Sequence, residues 1–145
     1  MITQYQAGDL DELLAVWLAS SSYAHPFLPE SFHQDGPALI RDVYIPKAET
    51  WVYKEQGHLL GFISLLDNEV GALFVAPDHH RKGIGAALLN HARTLRSELY
   101  LEVFEKNQGG RRFYHNYGFQ EVSKRPHEEL GEMLLRLELP IEEES

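Results

Sequence analysis

No cysteine occurs among the 145 residues. That excludes a disulfide framework, a thiolate nucleophile and any cysteine-based metal site. Long apolar runs are also missing: no stretch approaches the roughly 18 apolar residues of a membrane span, so no membrane partner is expected. The opening segment MITQYQAGDL carries neither a basic cluster nor an apolar run of signal length, and a cytoplasmic location is the expectation. Positive charge is scarce, with 13 Lys and Arg against 22 Asp and Glu and a formal net charge of −9. Such a chain repels phosphate backbones at long range, so nucleic acid is not an expected partner. An anionic ligand would need a local basic pocket rich in N–H groups, whereas an acidic rim would favour a cationic one; the charge alone equally well serves solubility. The tail carboxylates Glu142, Glu143 and Glu144 read as solvated.

What is present is ordinary for a globular chain: 43% hydrophobic and 24% charged residues, enough length for one domain over residues 1–145, and no linker or repeat. The organising stretch is residues 73–89, LFVAPDHHRKGIGAALL. It reads as a buried strand, a proline-marked exit, a basic turn holding Gly83 and Gly85, and an apolar helix. Glycines let the backbone turn tightly, and the free N–H groups of a helix start, backed by the helix dipole, form an anion site. Arg81 and Lys82 stand at its mouth. The Walker A pattern is excluded because Lys82 precedes the glycine, and the dinucleotide fingerprint because Leu88 stands where a third glycine belongs. Two glycines one residue apart equally suit a loop that only needs a tight turn; the reading taken is that the main chain over Arg81, Lys82, Gly83, Ile84, Gly85 and Ala86 is a pyrophosphate cradle. His79 and His80 are adjacent, which does not put two imidazoles on one face, and no metal is expected.

Along the chain, residues 2–6 suit a short strand. Asp9 is expected to cap a helix with Glu12 completing a capping box, and Leu10, Leu13, Leu14, Trp17 and Leu18 form its apolar stripe. The run from Ser20 to Pro29 reads as a loop, and Ser31 to Tyr44 as a second helix ending before Pro46. Strands are expected over residues 50–55, 59–66 and 69–75, with turns at Gln56-Gly57-His58 and Asp67-Asn68. The helix after the glycine turn buries Ile84, Leu88, Ala92 and Leu95. Leu99, Leu101 and Val103 then alternate with Tyr100, Glu102 and Phe104 on a strand. A short helix with Tyr114, a strand over 119–123, a polar loop over 126–131 and a last strand over 132–139 complete an α/β (α+β) fold. It is a mixed, mostly antiparallel sheet of about seven strands flanked by about four helices.

A second stretch, residues 107–119, NQGGRRFYHNYGF, places an Asn after a strand, Phe113-Tyr114 on the following helix, and Gly118-Phe119 before the next strand. Together with the glycine turn, this resembles the GNAT superfamily of acetyl-CoA-dependent N-acetyltransferases over nearly the whole chain. His25-Pro26-Phe27-Leu28 is similar to small bacterial members. Two positions depart from the family pattern: His80 stands at the usual Arg or Gln, and Gly110 replaces a small residue that is often Ala.

The resemblance implies an acetyl-CoA-dependent transfer of acetyl to a primary amine, a protein or peptide lysine or a small amine, within a ternary complex. The alternative is a non-catalytic acetyl-CoA sensor on the same fold. It implies that the pantetheine arm lies in a gap beside Phe74 and Val75, whose N–H groups polarise the thioester carbonyl, and that Asn107 contacts the arm or the helix. Tyr114 is implied as the general acid to the departing thiolate, with Glu69 as the base and Glu102 and His25 as rivals for that role. His25, Phe27 and His33 are acceptor-site candidates, and Trp51 is a possible wall of that cleft. A monomer or a homodimer is compatible with all of this.

Overall fold

The structure, a computed structural model, describes residues 1–140; Glu142, Glu143 and Glu144 lie outside the described residues. Seven strands form one sheet in the order β1-β2-β3-β4-β5-β7-β6. They are β1 (Ile2–Gln4), β2 (Glu49–Glu55), β3 (His58–Leu66), β4 (Glu69–Val75), β5 (Tyr100–Phe104), β6 (Gln120–Pro126) and β7 (Met133–Glu138). Every neighbouring pair is antiparallel except β4 and β5, which run parallel and are registered only at Glu69 and Tyr100. The β2–β3 turn is tight because Gln56 and Gly57 both take positive φ, 51° and 80°, the twist that suits a two-residue hairpin.

Four helical segments cover the sheet: α1 (Leu10–Ala24); α2 (Glu30–Leu39), which continues through a π turn (Ile40–Tyr44) into α3 (Ile45–Lys47); α4 (Ile84–Leu95); and α5 (Gln108–Tyr117). Two cores result. On one face, Ile84, Leu88, Leu89 and Ala92 of α4 meet Ile63, Leu101, Val103, Phe119 and Leu137. On the other face, Leu13, Val16 and Trp17 of α1 meet Val52, Leu59 and Phe62. At roughly 25 cal/mol per Å² of apolar area removed from water, these two layers are what hold the helices on the sheet.

Several expectations are corrected. Asp9 stands at the N-cap position of α1, as expected, but its side chain makes no capping hydrogen bond: the carboxylate accepts from the Gln6 N–H at 3.0 Å and pairs with Lys54 at 2.6 Å, closing a preceding short 3-10 turn. Glu12 instead accepts from the Leu59 N–H, tying α1 to β3. The buried face of α1 is Leu13, Val16, Trp17, Ser20 and Ser21, while Leu18 is exposed. The serines therefore do not break the helix, which runs on to Ala24 because Ser20 Oγ donates to the Val75 carbonyl at 2.8 Å and Ser21 Oγ bonds His25 Nδ1 at 3.1 Å. Local serine propensity is outweighed by these tertiary partners. The second helical segment likewise passes Pro46, which lies at the start of α3, just beyond the π turn. Leu95 is partly exposed and Leu89 takes the buried place instead.

Candidate functional site

The site grows out of the one parallel pair. Past Glu69 and Tyr100 no further β4–β5 register exists, so the C-terminal halves of the two strands diverge and leave main-chain groups of β4 facing a gap. Which groups face it follows from the other side of β4. The Ala76 N–H donates to the Leu60 carbonyl on β3, and Phe62 lies opposite Phe74, so the polar groups of Phe74 and Ala76 are turned toward β3. Antiparallel alternation then turns those of Leu73 and Val75 toward the gap. The Val75 amide thus faces the gap and the Phe74 amide faces β3, while Leu73, which the sequence did not single out, also turns its amide to the gap. The Val75 carbonyl accepts from Ser20 Oγ and, at 3.0 Å, from His80 Nε2.

At the end of β4 the chain enters the glycine turn. Arg81 and Gly83 both have positive φ, 72° and 78°. Left-handed residues alternating with right-handed ones gather successive N–H groups into a concavity that binds anions. Gly83 is the N-cap of α4, whose first turn supplies the N–H groups of Ile84, Gly85 and Ala86. A Cβ at Gly85 would stand 2.9 Å from Phe113 Cζ, so this glycine also admits the α5 ring onto α4. Lys82 Nζ donates to His79 Nδ1 at 2.9 Å, and Arg81 makes no ion pair among the described residues. Asn107 caps α5, its Oδ1 accepting from the Gly110 N–H at 2.9 Å; that is the helix contact, and among the described residues it leaves the amide nitrogen of Asn107 uncommitted.

Tyr114 lies on the α4–α5 face of the sheet, packed edge-on against Phe113 and Phe119 with ring centroids 5.2 and 5.5 Å away. Burial pushes its phenol above the ordinary tyrosine value, so it stays protonated. Across the sheet, on the α1 face, sit His25, Phe27 and His33. The His25 ring spans the gap, 6.4 Å from Phe74 on β4 and 5.2 Å from Phe104 on β5, with Phe27 5.8 Å away. His33 Nε2 donates to the His25 carbonyl at 3.2 Å. His25 is only 8% exposed, and burial, with a smaller push from His33, lowers its imidazole to about 4. Phe104, His127 and Lys106 join this face and were not singled out from the sequence. The signal for Phe104 was available, because it ends the outward row of β5 opposite Leu101 and Val103.

Glu69 reaches the same face through a bulge. Leu65 pairs with Val70 and Ser64 with Ala72, leaving Gly71 unpaired. One extra residue reverses the alternation, so Val70 enters the α4 core while Glu69 turns toward Glu102, Arg125 and Arg136. Burial first, and then Glu102, raise its carboxyl. Glu102 is held by Arg125 in a two-pronged pair, both contacts 2.7 Å. Trp51 is the residue the structure does not bring in. It belongs to the α4 face, its ring 4.3 Å from His91 and its Nε1 donating to Glu49, which Arg96 also holds. Among the described residues no group of three His, Asp or Glu side chains is placed to hold a metal, and no helix is long and apolar enough to cross a membrane.

Comparison with known proteins gives a consistent result. The acetyltransferase (GNAT) domain matches residues 46–121. The chain is 40% identical over 123 residues to the peptidyl-lysine N-acetyltransferase YiaC of Escherichia coli (strain K12), covering 84% of each chain. It is 33% identical over 122 residues to the peptidyl-lysine N-acetyltransferase YjaB of Salmonella typhimurium, covering 83% of each. Among solved structures it superposes on apo YjaB from Escherichia coli with a TM-score of 0.85 and 29% identity, over 95% of both chains. The PaiA N-acetyltransferase of Thermoplasma acidophilum, solved with coenzyme A, shares the fold with a TM-score of 0.76 and 20% identity, over 94% of this chain and 96% of that one.

Proposed function

The chain belongs to the acetyltransferase (GNAT) family and is an N-acetyltransferase, and from that premise we propose that its acceptor is the side-chain amine of a lysine in a protein or peptide. The names of YiaC and YjaB support the lysine. The observation that carries the chemistry is the placement of polar groups on opposite faces of one gap: Tyr114 on the α5 side, Glu69 and His25 on the α1 side. Acetyl transfer from a thioester needs an amine to arrive and lose a proton on one side while a thiol leaves and gains one on the other.

In this reading acetyl-CoA is the co-substrate. Its diphosphate rests on the main chain from Arg81 to Ala86, with the Arg81 guanidinium adding charge. Its pantetheine arm pairs with Val75 and Leu73, and the Val75 N–H polarises the carbonyl. Holding both reactants in one gap supplies much of the rate.

Among the three rival bases, the electrostatics favour Glu69. Burial and then Glu102 raise the Glu69 carboxyl, which makes it a stronger base than an ordinary carboxylate. Glu102 is engaged by Arg125, and an imidazole lowered to about 4 is too weak a base. His25, Phe27, His33 and Phe104 then line the acceptor's approach. Tyr114 serves the leaving sulfur. Between reference values of about 10 and 8.5, full proton transfer from phenol to thiolate costs about 2 kcal/mol, and burial raises that cost, so the hydroxyl acts as a hydrogen-bond donor that yields its proton late.

The test is a thiol-release assay with mass spectrometry on blocked lysine peptides beside a panel of small amines. Acetyl on lysine Nζ with matching CoA release is the expected result. Turnover confined to small amines would remove the lysine assignment, and acetyl-CoA binding without turnover anywhere would make the protein a sensor.

A further inference from the structure

The chain holds five lysines, at positions 47, 54, 82, 106 and 124, and four of them are remote from the acceptor face or engaged elsewhere. Lys54 pairs with Asp9 beside the N-terminal edge of the sheet. Lys82 is folded onto His79 at the phosphate end of the gap. Lys124 stands 3.9 Å from Glu105 on the edge strand β6, and Lys47 ends the helical segment before β2. Lys106 differs. It lies two residues beyond the end of β5 and just before Asn107, the cap of α5, so its backbone is held at the lip of the gap. Its ammonium stands 5.8 Å from the centroid of the Phe27 ring and 3.1 Å from Glu132 Oε1. From Phe27 the rings run on without a break. Phe104 is 5.7 Å from Phe27, His25 is 5.2 Å from Phe104, and Phe74 on the far lip is 6.4 Å from His25. A lysine side chain is therefore already seated on the aromatic surface that an incoming acceptor lysine must cross. Its own side chain is 60% exposed, so the Glu132 ion pair that holds it there is a weak tether.

Building on the acetyltransferase reading above, we propose that Lys106 is a self-acetylation site, modified by the acetyl-CoA bound in its own chain. The Lys106 ammonium gives up one proton to Glu69 or to solvent. The neutral Nζ forms a bond to the thioester carbonyl carbon, the carbon–sulfur bond breaks, and the sulfur leaves as thiolate and takes a proton from the amine nitrogen by way of Tyr114 or water. Acetyl-CoA and an ammonium become an amide, free CoA and one released proton. The product is uncharged, so it surrenders both the Glu132 pair and the cation–ring contact and frees the Phe27 surface for an external lysine.

The experiment incubates the purified protein with acetyl-CoA and no acceptor, then maps acetylation by peptide mass spectrometry over time. Lys106 should lead every other lysine by at least about tenfold in rate, because a tethered amine reacts at a high effective concentration. The rate per molecule should be unchanged on dilution of the protein, excess free CoA should suppress it, and Lys106→Arg should remove the signal. Equal labelling of all five lysines, or labelling indifferent to CoA, would reduce it to chemical acetylation and overturn the proposal. A rate proportional to protein concentration would overturn the transfer within one chain. A lysine peptide in the same tube separates the two levels. If the peptide is acetylated and Lys106 is not, this inference alone falls; if neither is, the proposed function falls with it.

Discussion

Acid should weaken the fold through His25, by an amount that can be worked out in advance. The ring is enclosed by Phe27, Phe74 and Phe104, with Ser21 Oγ on Nδ1 and, among the described residues, no carboxylate paired to it. Its pKa is lowered from 6.5 to about 4, first by burial and then by His33. The unfolded chain takes up the proton below pH 6.5, whereas the folded chain does not until about pH 4. The stability held by the neutral ring is therefore complete above pH 6.5 and is lost progressively down to about pH 4. At roughly 1.4 kcal/mol per pKa unit, this gap corresponds to about 3 kcal/mol at its limit. Other groups titrate in the same window, so the informative quantity is a difference. Urea unfolding of the native chain and of His25→Gln, run from pH 7.5 to pH 4.5, should show the native advantage shrinking as pH falls. A difference that stays flat would mean that His25 is solvated and charged in the fold, and the picture of a dry aromatic surface across the gap would be wrong.

Three further outcomes follow from the same geometry. Tyr114→Phe should lower kcat by about a hundredfold while leaving the acetyl-CoA KM nearly unchanged, because the phenol acts on the leaving sulfur; an unaltered kcat would make it a packing residue. Gly83→Glu forces a side chain into a left-handed position, at a cost of about 1–2 kcal/mol in stability. It also sets a carboxylate beside the diphosphate, where repulsion of about 2 kcal/mol should weaken acetyl-CoA binding at least tenfold by calorimetry. Retained affinity would move the anion site elsewhere. Glu102→Gln removes a like charge that raises Glu69, so the acid limb of the kcat/KM profile should move to lower pH. A limb that stays put would exclude Glu69 as the titrating base.

Much of this architecture was legible because its punctuation is local. The turns at Gln56-Gly57 and Asp67-Asn68 bound β2, β3 and β4 almost to the residue, and the glycine turn announces both its strand and its helix. The failures come from long-range causes. Ser20 and Ser21 read as helix breakers, yet their hydroxyls find partners in Val75 and His25, one of them 55 residues away. Trp51 sits on a strand whose alternation is plain, but alternation alone does not say which face the acceptor uses. The Gly71 bulge, which turns Glu69 to the α1 face, shows in the sequence only as one glycine inside a strand pattern, and a glycine there does not fix the register. That the Phe74 amide faces β3 while those of Leu73 and Val75 face the gap was not legible either, because it depends on the register with β3.

The central claim is that acetyl-CoA lies in the gap where β4 and β5 part, with its diphosphate on the start of α4. Amide NMR during titration with acetyl-CoA addresses it residue by residue. The N–H signals of Leu73, Val75, Gly83, Ile84, Gly85 and Ala86 should move together and saturate at one affinity, while those of the edge strand β6 stay in place. Shifts gathered on β6 and the outer surface of α5, with the Val75 and Ile84 amides unmoved, would contradict the account.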